Sequence, residues 1–173
     1  MRPRSPFVMF LPWIVFSCFL NNQFVTGASI ALILSVVLSW RLLLRGNVME
    51  FGGSLFFLIM AVIGLCYPHG NWITQHPNLW CNAMMTCLML GSVVMNKPFT
   101  AQYSERGTVA FHRLLSAIWG GLLCLATLIS VFHLLFGLSN TLSTLGTILA
   151  IYLGIKANAH LPRWYQQKYN RLA

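Results

Sequence analysis

Apolar runs broken by short polar turns set the rhythm of this chain. Six runs stand out: residues 6–20, 24–44, 51–67, 79–95, 114–136 and 141–155. A spanning α-helix needs ~20 mostly apolar residues, and ~17 serve when flanking side chains reach the interface. The pattern predicts an all-α fold, a polytopic membrane helical bundle with six transmembrane helices. The first run is short and carries Pro12; without it the count would be five. The 1–173 stretch reads as a single integral membrane domain, with 157–173 a basic tail.

The breaks between runs carry turn chemistry. Arg45-Gly46-Asn47 follows the second helix, and Pro68-His69-Gly70-Asn71 follows the third. Asn96-Lys97-Pro98 ends the fourth, and Gly137 to Asn140 joins the fifth to the sixth. Pro and Gly belong at helix ends and turns. After the first run come Asn21, Asn22, Gln23 and Phe24. A signal peptide would place a small-residue cleavage site there, so the run is retained as a spanning helix.

Composition supports lipid as the solvent. Of the 173 residues, 57% are apolar and 8% charged, against roughly 25% charged in soluble domains. Eleven Lys and Arg stand against two acids, for a net charge of +9. With six spans, every basic residue falls on the side of the N-terminus: Arg2, Arg4, Arg41, Arg45, Lys97, Arg106, Arg113, Lys156, Arg163, Lys168 and Arg171. Cytoplasmic loops carry the excess of Lys and Arg. Both termini are therefore expected in the cytoplasm, and the membrane expected is the bacterial inner membrane. Nucleic acid is not an expected partner, because the basic residues form no groove with interleaved aromatics. Trp164, Tyr165 and Tyr169 interleave with the basic tail; an interfacial helix and a frayed end both fit it.

Small residues at spacing four mark three helices. They are Gly27, Ala31, Ser35 and Ser39 in the second, Ser116, Gly120 and Cys124 in the fifth, and Gly146, Ala150 and Gly154 in the sixth. Close backbone approach drives helix association in lipid. These three helices are expected to form the tight core, and the same faces would serve self-association.

Candidate chemistry is sparse. The acids are Glu50 and Glu105, and no Asp occurs. Intramembrane polar candidates are His133, Asn82 and Glu50, since ionisable groups within a span are functional candidates by default. Near the headgroups, His133 also fits a neutral side chain bonded to a neighbouring helix. No catalytic fingerprint, zinc spacing or paired intramembrane His appears, so no cofactor is expected. The fourth helix holds Cys81, Met84, Met85, Cys87, Met89 and Met95. Soft sulfur ligands would suit Cu(I); gap-filling packing is the ordinary use of Met. Cys66 and Cys81 stand at outer helix ends, where an oxidising exterior would let them pair; free thiols acting as small apolar residues are the favoured reading.

The most distinctive segment is residues 96–107. It offers Lys97, Pro98, Thr100, Gln102, Tyr103, Glu105 and Arg106 as a candidate functional loop. An amphipathic segment resting in the headgroup layer is the competing reading, with Phe99 and Tyr103 at spacing four.

Several spaced features resemble the bacterial intracellular septation protein A family. They are Phe10-Leu11-Pro12, Thr26-Gly27-Ala28, Trp40, Lys97-Pro98 with Gln102, and Arg113-Leu114 ahead of Trp119. Phe99-Thr100 and Tyr103 are more similar to a set of uncharacterised small bacterial membrane proteins with a Pro-Phe-Thr motif. The septation resemblance implies five spans and a role in envelope integrity or division through protein partners, with no catalytic residues. The expected function is a non-enzymatic scaffold in envelope maintenance or septation. The expected partners are membrane lipids and other membrane proteins. A small transporter or channel is the first alternative, and a membrane metal or lipid enzyme the second.

Overall fold

The computed structural model describes residues 6–19, 23–44, 47–67, 72–102, 108–137 and 140–169. They form seven α-helices, a short 3-10 turn at Phe99–Gln102 and, among the described residues, no strand. The helices are α1 (Pro6–Cys18), α2 (Phe24–Leu43), α3 (Val48–Cys66), α4 (Trp72–Gln75), α5 (Pro77–Val94), α6 (Val109–Phe136) and α7 (Asn140–Tyr169). Three of them, α2, α3 and α6, are long and apolar enough to cross a membrane. A shorter apolar stretch, Leu145–Leu161, lies in α7. The chain divides into two compact units, Met1–Met84 and Met85–Ala173.

In the first unit, α2 packs against both α1 and α3. The α1 helix runs through Pro12, although proline removes one backbone bond there. Its Trp13 stacks on Phe56 at 5.2 Å and tilts against Phe57 at 4.8 Å. Phe16 meets Phe24 edge-on at 5.4 Å, and both Phe16 and Phe57 are sealed from solvent. Glycines admit these rings. A Cβ on Gly53 would sit 3.3 Å from Trp13, and one on Gly64 would sit 2.7 Å from Val25.

Two polar links tie α2 to α3. Ser35 and Ser54 share a hydrogen bond of 2.8 Å, and one turn away Ser39 donates to the Glu50 carboxylate. Asn47 caps α3 by accepting from the Met49 N–H at 3.1 Å. Glu50 stands in the first turn, where the helix dipole favours a negative charge. The loop before α5 holds the one-turn α4, and its Trp72 meets Trp80 at 5.4 Å and His76 at 5.8 Å.

In the second unit, α6 and α7 pack as an antiparallel pair. Gly137 ends α6 in the left-handed conformation, at φ +64°, a helix terminus that favours glycine. Ser130 and Ser143 share a bond of 2.7 Å near that turn. Farther along, Trp119 Nε1 donates to Asn158 Oδ1 at 3.3 Å. Gly146 lies under Ile129, and Gly154 lies under the Trp119 ring.

Within its own unit, each small-residue ladder receives a neighbour. That of α2 accommodates Phe19 at Gly27 and meets α3 through Ser35 and Ser39. That of α7 receives α6. Ser116 and Gly120 on α6 accept the 3-10 turn and Leu90 instead. The last helix is longer than its expected span. It continues past Ile155 to Tyr169 without a break, so residues 157–169 prolong a helix.

Candidate functional site

The candidate loop begins where α5 stops. Asn96 adopts a left-handed conformation, φ 57°. Its N–H bonds the Val93 carbonyl at 3.1 Å, and the Lys97 N–H bonds the Ser92 carbonyl at 2.9 Å. This is a Schellman closure, with Asn where Gly is more usual. Pro98 then prevents the helix from resuming, and Phe99–Gln102 coil into the 3-10 turn.

That turn is pinned from both sides. Ser92 Oγ donates to the Met89 carbonyl at 2.7 Å and accepts from the Phe99 N–H at 3.1 Å. Phe99 is buried and meets Trp119 edge-on at 6.5 Å. Thr100 makes the densest set of bonds. Its hydroxyl donates to the His112 carbonyl at 2.9 Å and lies 3.0 Å from Ser116 Oγ and 3.2 Å from His112 Nδ1. A hydroxyl has one proton and two acceptor lone pairs. With the proton on the His112 carbonyl, Ser116 and Nδ1 are left to donate. The imidazole then carries a proton on Nδ1. Thr100, His112 and Ser116 are all buried.

A hydroxyl beside an imidazole is also how a nucleophile sits beside its base. Here the hydroxyl proton is aimed at a main-chain carbonyl, away from the ring. The arrangement acts as a brace that joins the turn to the first two turns of α6. Through Trp119 and Asn158 the brace continues to α7.

Of the residues expected in this loop, Pro98 and Thr100 are buried in the brace, while Lys97 is exposed. Gln102 closes the turn. Tyr103, Glu105 and Arg106 lie outside the described residues. The intramembrane candidates have separate settings. Glu50 is buried against Ser39, and Asn82 is 2% exposed within α5. His133 is half-buried in the last turn of α6, where its Nδ1 has no partner among the described residues.

Cys66, Cys81, Cys87 and Cys124 are free thiols, so the pairing of Cys66 with Cys81 is not formed. The sulfur atoms along and just past α5 do not share one environment: Met85 and Met89 are buried, Cys87 and Met95 exposed. Among the described residues, no group of three or more His, Cys, Asp or Glu could hold a metal ion.

Ser92, His112, Ser116, Trp119 and Asn158 complete the site without having been singled out for it. The signal for His112 was Thr108, whose side chain caps α6 by accepting from the Phe111 N–H at 3.2 Å. A helix beginning there brings His112 onto the same helical surface as Ser116, one turn away.

No family model matches the chain, and neither a curated protein nor a solved structure matches it.

Proposed function

We propose that this chain is a multi-pass protein of a bacterial inner membrane. It crosses six times with both termini in the cytoplasm and acts as a non-enzymatic scaffold in envelope maintenance or septation. The observation that carries this reading is the brace on Thr100. A turn held by buried hydrogen bonds is a preorganised surface, and preorganisation lowers the entropic cost of docking a partner. Lys97, exposed beside the brace, belongs to the side on which every basic residue falls. The septation resemblance supplies the cellular setting.

The test has two parts. Single cysteines at positions 22, 47, 74, 104, 139 and 170 in a Cys-free chain report topology. Labelling of 22, 74 and 139 from outside only, and of the others from inside only, is the expected result. A photo-crosslinker at position 97 should then capture a membrane protein in cells, and a T100V background should weaken that capture. Unchanged capture in that background, or none from the native turn, would defeat the scaffold reading.

A small transporter or channel is the second reading, favoured by the buried Glu50 between α2 and α3. Ionisable groups inside spans often mark ion or proton paths. Proteoliposomes that pass protons or cations with the native chain, but not with E50Q, would select it.

A further inference from the structure

The pairing of α6 with α7 fixes which residues share a level. Ser130 bonds Ser143, and Trp119 bonds Asn158 while covering Gly154. Extending this antiparallel register brings Arg113 level with about His160. Along α6, Arg113 lies about 36 Å from Gly137 at ~1.5 Å per residue. The hydrocarbon core is only ~30 Å thick, so a helix spanning from the Gly137 turn delivers Arg113 to the headgroup layer. Arg113, Lys156 and His160 are all exposed, with Lys156 one to two turns nearer the Gly137 end than Arg113. The bonds from Thr100 to His112 and Ser116 hold the turn that carries the exposed Lys97 to the same end of α6. Within residues 85–173 the one acid is Glu105, which lies outside the described residues.

An apolar stripe leads up to this basic end. Ile148, Tyr152 and Lys156 follow at spacing four on one face of α7, flanked by Leu145 and Leu149. The four uncharged members are each more than half exposed. Lys156 Nζ rests 5.6 Å from the centre of the Tyr152 ring, its stem lying along the stripe. A soluble anion would use the charges and leave the stripe bare. A phospholipid uses both, its acyl chain along the stripe and its phosphate at Lys156, where the stripe ends.

We propose that the Arg113 and Lys156 end of the α6–α7 pair is a docking surface for anionic phospholipid headgroups. The inference deepens the membrane reading above and rests on it. Each basic residue near an anionic surface contributes ~1 kcal/mol, or about fivefold in affinity. Selection is by charge, so a zwitterionic headgroup with the same acyl chains is held less well.

Native mass spectrometry of the detergent-purified full chain tests this, with phosphatidylglycerol and phosphatidylcholine of identical acyl composition. Phosphatidylglycerol should be retained in preference, and R113Q with K156Q should remove most of that preference. R41Q, an exposed charge on α2, should leave it intact. Equal retention of both lipids would overturn the proposal, as would a loss in R41Q equal to that of the double variant. Displacement of the lipid by millimolar inorganic phosphate or by a short oligonucleotide would overturn it too. The readout in detergent does not depend on orientation. A reversed label map with headgroup selection intact condemns the topology alone, whereas an expected map without selection condemns this inference alone.

Discussion

Thr100 and His112 are bonded to each other twice, through the His112 carbonyl at 2.9 Å and through its ring Nδ1 at 3.2 Å. The two hydrogen bonds together fix the turn in both position and rotation. They also leave the Thr100 hydroxyl saturated once Ser116 is included. The brace is therefore sensitive to loss of the hydroxyl and tolerant of loss of the methyl.

Thr100→Val keeps the shape and removes the hydroxyl. Ser116 Oγ and His112 Nδ1 each lose one partner in a buried place, a loss of about 1–3 kcal/mol. Thr100→Ser restores the bonds and should cost less than about 1 kcal/mol. Thermal unfolding in detergent reads both. Equal melting of T100V and native protein would mean that the brace contributes nothing to stability.

The helices were largely legible because lipid-soluble runs announce themselves by length. The second expected span begins at Phe24, as α2 does, and the fifth ends at Phe136, as α6 does. Their polar ends were less legible. His112 and Arg113 interrupt the apolar pattern, yet α6 starts at Val109, since a helix is bounded by its caps and not by its hydropathy. The same reason carries α7 on to Tyr169. The brace was invisible because Thr100 and Ser116 are sixteen residues apart, and only the Asn96 reversal brings them together.

Ser39 and Glu50 form a second coupled pair. Ser39→Ala removes a donor to a buried carboxylate, which costs about 1–3 kcal/mol. In an E50Q background the same change should cost less, because the acceptor is then uncharged. A double-mutant cycle on unfolding free energy measures the difference. Strict additivity would mean that the two side chains do not interact.

The thiols should separate by burial. Cys66 is exposed at the end of α3, whereas Cys81 is 4% exposed within α5. A maleimide should modify Cys66 in the folded, detergent-solubilised protein and reach Cys81 only after denaturation in SDS. Single-cysteine versions of each keep the two signals apart. Equal labelling of Cys81 before and after denaturation would contradict its packing.

Gly154 and Trp119 make the sharpest test of the α6–α7 pair. A Cβ at Gly154 would come within 2.7 Å of three Trp119 ring atoms, and that ring is 1% exposed. Overpacking of this kind costs about 1–3 kcal/mol. Against it, Ala gains up to ~1 kcal/mol over Gly in helix propensity. G154A should therefore lower the melting temperature despite the better helix former, and G154V should lower it further. Trp119→Leu loses the bond to Asn158 and the edge contact with Phe99, but it removes the obstruction. In the W119L background, G154A should cost markedly less than in the native chain. If the change costs the same in both backgrounds, the ring does not occupy the space that glycine leaves, and the register on which the basic end of α6 and α7 was placed is wrong.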